Sequence, residues 1–257
     1  MGDLTSSLVA LGFHEKIDHP SSDLPAWALE LRKSIFARIY WAEKALSMFL
    51  GRPPRLLLGY CNFQVPEFRR RTDGSGLESI DFVADTQCGA RFAVLKEHCL
   101  EMHRTRHLNG QAEGWDKIRQ NLEQLWLDLP AHFRLTTSLA ESKGSPFERD
   151  FLANQRLEYL HGHFHLGLTC LQSTTDPSDS LLGTASEMLS LIVEMIMLRS
   201  KLVNSGSHLL WKVRFLHYSN NPWSQVTHFF PGRAFRPPTS SRHISRSPET
   251  KRHRRTH

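Results

Sequence analysis

The chain has 257 residues, 40% of them hydrophobic, and a formal net charge of +6. That length holds one large domain or two small ones with a sizeable core, so neither a short disulfide-stapled scaffold nor a disordered polyelectrolyte is expected. Eight of the 32 Lys and Arg lie in 231–257 beside one acid, Glu249, which leaves 24 basic against 25 acidic residues in 1–230 and removes the electrostatic footprint of a nucleic-acid-binding body.

Leu4 to Leu11 reads as the tail end of a helix closing at Gly12. His19 to Asp23 is a turn with capping residues, and Pro25 sits near the first turn of the next helix. Glu30 to Arg55 is the clearest element. Leu31, Ile35, Ile39, Ala42, Leu46 and Phe49 recur at helical steps, while Arg32, Lys33, Arg38, Glu43 and Lys44 take other faces. Gly51 stands where a left-handed cap belongs, and Pro53 and Pro54 stop the helix. Leu56 to Phe68 is apolar and irregular, and Arg69 to Gly76 is a polar loop.

Leu77 to Leu108 is expected to be helical, with Phe82, Phe92, Leu95, Cys99 and Met102 on its apolar face, closing at Asn109-Gly110. Trp115 to Leu129 repeats Ile118, Leu122, Leu125, Trp126 and Leu129 before Pro130. Ser138 to Arg149 reads as a solvated connector, Phe151 to Leu171 as a long helix and Gln172 to Ser180 as a polar loop. Thr184 to Val203 is the most apolar helix, with Met188, Leu189, Ile192, Val193, Ile196 and Leu202 on more than one face, which predicts a central position. No alternation of β-branched residues argues for a sheet. The reading is an all-α, irregular multi-helix bundle over 1–213, followed by a basic tail over 214–257 whose composition predicts disorder.

Cys61, Cys88, Cys99 and Cys170 are widely spaced, with no C-x-x-C pair, so a reducing compartment fits best. No basic-then-apolar leader is present, and the longest apolar stretches are broken by Glu194 or Arg199, so neither secretion nor membrane spanning is expected. His161, His163 and His165 form the sharpest metal-like cluster, but on a helix only His161 and His165 share a face. The metallo-hydrolase pattern H-x-H-x-D-H would also need an aspartate where His165 stands. Cys99, His103 and His107 line one helix face, yet the outer two are about 12 Å apart at the helical rise, too far to share one ion. No P-loop, H-E-x-x-H, G-x-S-x-G or G-x-G-x-x-G occurs, and catalysis is not expected. Lys251, Arg252, Arg254 and Arg255 have the composition of a nuclear-import or nucleic-acid-binding tail.

The segment Glu30-Leu31-Arg32-Lys33, Ile39-Tyr40, Glu43-Lys44 and Leu50-Gly51-Arg52-Pro53-Pro54, closing on Val65-Pro66, resembles the signature of the fungal-specific transcription factor domain. That domain is the middle homology region of the zinc-cluster transcription factors. Asp3-Leu4-Thr5 with Ala10-Leu11-Gly12-Phe13-His14, and Leu122, Leu125-Trp126 and Leu129-Pro130, resemble further stretches of it, so the likeness spans roughly Gly2 to Trp211. The resemblance implies an all-α, nuclear, non-catalytic regulatory domain acting in DNA-templated transcription through homo- or heterodimer contacts and the transcription machinery. DNA contact would be indirect, or weak through the basic tail. Zinc would belong to the family's six-cysteine cluster, and since no cysteine precedes Cys61, no cofactor is expected in this chain. Missing terminal helices would expose apolar faces and predict marginal stability or oligomerisation. Beside the turn, the Arg52 and Arg55 guanidinium groups are expected to bond the unpaired carbonyls at the helix end, with Trp126 as a core anchor. Two other classes remain open: a histidine-based metal-dependent hydrolase, and a stand-alone interaction module competing for regulator partners.

Overall fold

A computed structural model describes residues 2–15, 24–62, 79–105, 112–169 and 177–203. Six α-helices run in chain order: α1 (Gly2–Ala10), α2 (Ala26–Leu50), α3 (Phe82–Thr105), α4 (Ala112–Asp128), α5 (Pro146–Thr169) and α6 (Asp179–Met197). Among the described residues there is no strand, so the all-α expectation holds. The His19 to Asp23 turn, the Arg69 to Gly76 loop, Val65-Pro66, Asn109-Gly110, His107, Cys170 and the 214–257 tail lie outside the described residues.

Local chemistry sets the helix ends. Gly51 takes the left-handed conformation at φ 60°, and its N–H and that of Arg52 donate to Met48 and Ser47 carbonyls. Asp81 caps α3 by accepting from the Val83 and Ala84 amides at 2.9 Å each. Ser145 and Glu148 form a reciprocal capping box around Pro146, the first residue of α5: the Ser145 amide donates to Glu148 Oε2 at 2.5 Å, and the Glu148 amide donates to Ser145 Oγ at 3.3 Å. The expected connector is therefore shorter than Ser138 to Arg149. It is also less solvated, since Leu139 is fully buried against α5 and α6.

α3 and α5 form the middle of the bundle. α2 packs along α3, α4 covers both α3 and α5, α1 leans on α2, and α6 lies along α5. The largest core joins Cys88, Phe92 and Cys99 of α3 to Ile118 and Leu122 of α4, Phe151 and Leu166 of α5, and Phe133. A second core joins Leu160 and Phe164 of α5 to Leu181, Met188, Leu191 and Met195 of α6. A third, smaller one holds Leu8, Phe36, Tyr40, Leu56 and Ala93.

Three expectations about faces are corrected. The face of α2 that is buried is Phe36, Ala37, Tyr40, Glu43, Lys44, Ser47 and Met48, whereas Leu31 and Ile35 are exposed. Glu43 and Lys44, placed off the apolar face, therefore belong to the interior. α6 is not central: its inner residues meet α5, while Leu182, Leu189, Val193 and Met197 are exposed. Phe82, placed on the apolar face of α3, is exposed beneath the Arg38 guanidinium, 3.5 Å from its ring centroid.

Candidate functional site

A helix face reading Phe36, Ala37, Tyr40, Glu43, Lys44, Ser47, Met48 places three hydrogen-bonding side chains and one ammonium inside an otherwise apolar stripe. Burying them demands partners, because each unpaired charge left in the interior carries a large desolvation penalty. The structure supplies them all. Lys44 Nζ is 2.8 Å from Glu43 Oε2 and 3.3 Å from Glu97 Oε2 on α3, and it donates to the Leu56 carbonyl. Those three contacts use the three N–H bonds of an ammonium. Tyr40 donates its hydroxyl to Glu97 Oε2 at 2.8 Å, and burial together with Glu97 pushes that phenol far above its ordinary range.

The other carboxylate oxygens hold the chain after the helix. Glu43 Oε1 accepts from the Arg55 amide at 2.6 Å and from Ser47 Oγ at 3.1 Å, and Glu97 Oε1 accepts from the Leu58 amide at 2.9 Å. Residues 55–58 form no regular helix until the short 3-10 turn Leu58–Tyr60. The Arg55 and Leu58 amides and the Leu56 carbonyl are satisfied by side chains of α2 and α3 instead. The proline turn is thus tied to the bundle through one buried ionic knot.

The N-terminal turn joins the same region. Arg32 donates to the Gly12 carbonyl and lies 5.1 Å from the Phe13 ring centroid. The Asn62 amide donates to the His14 carbonyl at 2.9 Å, and Asn62 Nδ2 donates to Glu15 Oε2 at 2.9 Å. Segments 12–15, 32–48, 55–62 and Glu97 therefore meet in space. Glu30 pairs with Lys33 at 3.3 Å on the surface.

The arginine expectation is corrected. The helix-end carbonyls are taken by the backbone amides of Gly51 and Arg52, and the Arg52 and Arg55 side chains are exposed. The backbone closes its own last turn once Gly51 adopts the left-handed conformation, so no guanidinium is required. Pro53 is exposed and Pro54 half-buried beyond the cap. Trp126 is half-buried rather than a core anchor, stacked 4.6 Å from Tyr159 with Arg156 over its ring at 5.3 Å. Pro130 precedes the 3-10 turn Ala131–Phe133. Lys251, Arg252, Arg254 and Arg255 lie outside the described residues.

A second polar layer lies between α2, α3 and α5. Buried Lys96 pairs with Glu158, whose Oε1 accepts from Trp41 Nε1 at 3.4 Å. Arg38 meets Asp85 at 3.3 Å, and burial pushes the Asp85 carboxyl up despite that partner. His161 and His165 share a face as expected, with their Nε2 atoms 2.8 Å apart, while His163 turns away to Glu123 at 3.2 Å. Burial is the main cause that drives the pKa of His165 down to about 3, with His103 and Lys96 adding to it. Cys99 is buried and its thiol is pushed up to about 12, and His103 stands edge-on to Trp115 at 5.3 Å. Among the described residues, no group of three or more His, Cys, Asp or Glu is arranged to hold a metal ion.

Glu97 carried no motif signal in the sequence, and Glu43 was placed off the apolar face of its helix. The available clue was the spacing Tyr40, Glu43, Lys44, Ser47, which completes the stripe set by Phe36, Ala37 and Met48. Comparison with protein families, curated proteins and solved structures finds no match to this chain.

Proposed function

We propose that this chain is a nuclear, non-catalytic regulatory and interaction domain of the fungal-specific transcription factor type. What supports the reading is one observation: separate stretches that carry the resemblance converge. Tyr40, Lys44 and the stretch after Gly51-Arg52-Pro53-Pro54 join the assembly around Glu97 and Glu43, and Arg32 and Asn62 hold the Gly12-Phe13-His14 turn beside it. The domain acts through protein contacts, with the basic run Lys251 to Arg255 directing nuclear import. Any DNA contact is indirect, or weak through that tail.

The test is to fuse the whole chain to a heterologous DNA-binding domain and place it at a reporter promoter. A several-fold change in transcription at equal protein level is expected, and unchanged output would overturn the proposal. Import is read separately by fusing 231–257 to a fluorescent reporter, where cytoplasmic retention removes that role from the tail.

A further inference from the structure

α6 has two faces of nearly equal apolar character. Leu181, Met188, Leu191, Ile192 and Met195 are buried, and the Gly167 position of α5 sits so close to Leu181 that a Cβ there would meet its Cδ1 at 2.8 Å. The opposite face presents Leu182, Ser186, Leu189, Ser190, Val193 and Met197, all exposed, with Met197 at 77% and Val193 at 48%. At 100° per residue these six lie within one narrow arc, and at 1.5 Å per residue they run about 22 Å along the helix. No charge interrupts them. A soluble helix that is apolar on both faces is ordinarily covered on both.

The order of residues along this stripe is self-complementary. A two-fold axis between Leu189 and Ser190, with two α6 helices antiparallel, sets Leu182 against Met197 of a second copy, Ser186 against Val193 and Leu189 against Ser190. Small faces large at two of the three pairs, which is what interdigitation of a helix pair requires. The same register brings exposed Arg199, in the 3-10 turn after α6, beside exposed Asp179 at the start of the other helix, once at each end. On one flank of the pair Glu187 and Glu194 of the two copies come near each other, with Arg156 paired to Glu187 beside them. We infer that the outer face of α6 is a homodimer interface in which two copies pair antiparallel about Leu189 and Ser190.

A single helix pair of this length is smaller than the roughly 800 Å² per partner of a standard interface. The dimer is accordingly weak, with a dissociation constant on the order of micromolar. The inference does not rest on the transcriptional reading. α6 also has the length and hydropathy of a bilayer span, though its inner face is committed to α5 and its Glu194 accepts from Ser138 and Ala140.

The experiment is light scattering of the full chain from about 1 to about 200 μM, together with oxidation of Ser190→Cys and of a control, Ser7→Cys, on exposed α1. A monomer–dimer transition in that range is expected, shifted at least ten-fold toward monomer by Val193→Glu, with a disulfide-linked dimer from Ser190→Cys alone. Because Val193 faces solvent, its replacement leaves the helical circular dichroism unchanged. A chain that stays monomeric throughout, with no Ser190→Cys dimer, overturns the inference. If Leu209→Ser/Trp211→Ser then makes it dimerise, the covering element is the chain's own C-terminal segment. If the monomer instead floats with phosphatidylcholine vesicles, the covering element is a bilayer.

Discussion

Lys44 on α2 and Glu97 on α3 stand 3.3 Å apart, with the Lys44 side chain wholly removed from solvent. The pair links the two most extensively packed helices to the turn that follows Gly51, because Glu97 also accepts from the Leu58 amide.

Replacing Lys44 by Met therefore leaves Glu43 and Glu97 facing each other without a cation. Loss of one partner from a buried ionic group costs about 3–5 kcal/mol, more than the added apolar contact returns. Urea denaturation is expected to show that loss, accompanied by a melting point lower by roughly 10 °C. Adding Glu43→Gln and Glu97→Gln to Lys44→Met should recover more than half of it. A single variant as stable as the parent would mean the knot is not closed.

At the helix end the side chain and the backbone separate cleanly. Arg52→Ala removes an exposed guanidinium and is expected to change stability by less than about 0.5 kcal/mol. Gly51→Ala forces a Cβ into φ 60° and is expected to cost about 1 kcal/mol. Equal effects from the two substitutions in a thermal melt would refute the assignment of the cap to the backbone.

These two sites mark what could be read from the sequence. Gly51, Pro53 and Pro54 act through local dihedral limits, so the end of α2 was legible from a few neighbouring residues. The burial of Glu43 and Lys44 was not, because it depends on Glu97, 53 residues beyond Lys44 in the chain, and a charged pair on a helix ordinarily signals solvent. α6 failed in the opposite sense: apolar residues on both faces measure appetite for burial, not the presence of a neighbour. The earlier start of α5 was legible in Ser145-Pro146-Phe147-Glu148, whose spacing is that of a capping box, and reading the stretch as a connector passed over it.

The burial of His161 and His165 makes stability depend on pH. His165 has a folded pKa of about 3, against roughly 6.5 for an unfolded histidine, and His161 is lowered in the same sense by burial, His165 and Lys96. Between those values the unfolded chain binds more protons than the folded one. The contribution is thus intact above about pH 6.5 and is lost progressively as the pH falls towards 3. At pH 5.5 His165 alone should remove about 1.4 kcal/mol relative to pH 7.5. Asp85 works against this, since a carboxyl raised by burial favours the folded state as it takes up its proton. Urea midpoints at pH 7.5 and 5.5, for the parent and for His165→Gln, test the assignment. A pH difference undiminished in the variant would place the effect elsewhere.

Two helical glycines give opposite expectations for one substitution. Alanine is favoured over glycine in a helix by about 1 kcal/mol, so space decides the sign. At Gly183 on α6, nothing lies within 4 Å of the position a Cβ would take, and Gly183→Ala should stabilise the monomer by roughly 0.5–1 kcal/mol. At Gly89 on α3, the new Cβ would meet the Trp41 ring at 2.5 Å. That ring cannot yield freely, because its Nε1 donates to Glu158, which in turn holds buried Lys96. Overpacking against a rigid group costs about 1–3 kcal/mol and outweighs the propensity gain. Gly89→Ala is therefore expected to lower the urea midpoint while Gly183→Ala raises it, both measured at low protein concentration. A stabilising Gly89→Ala would show that Trp41 has room to move, and that the contact between α2 and α3 at this point is looser than the geometry describes.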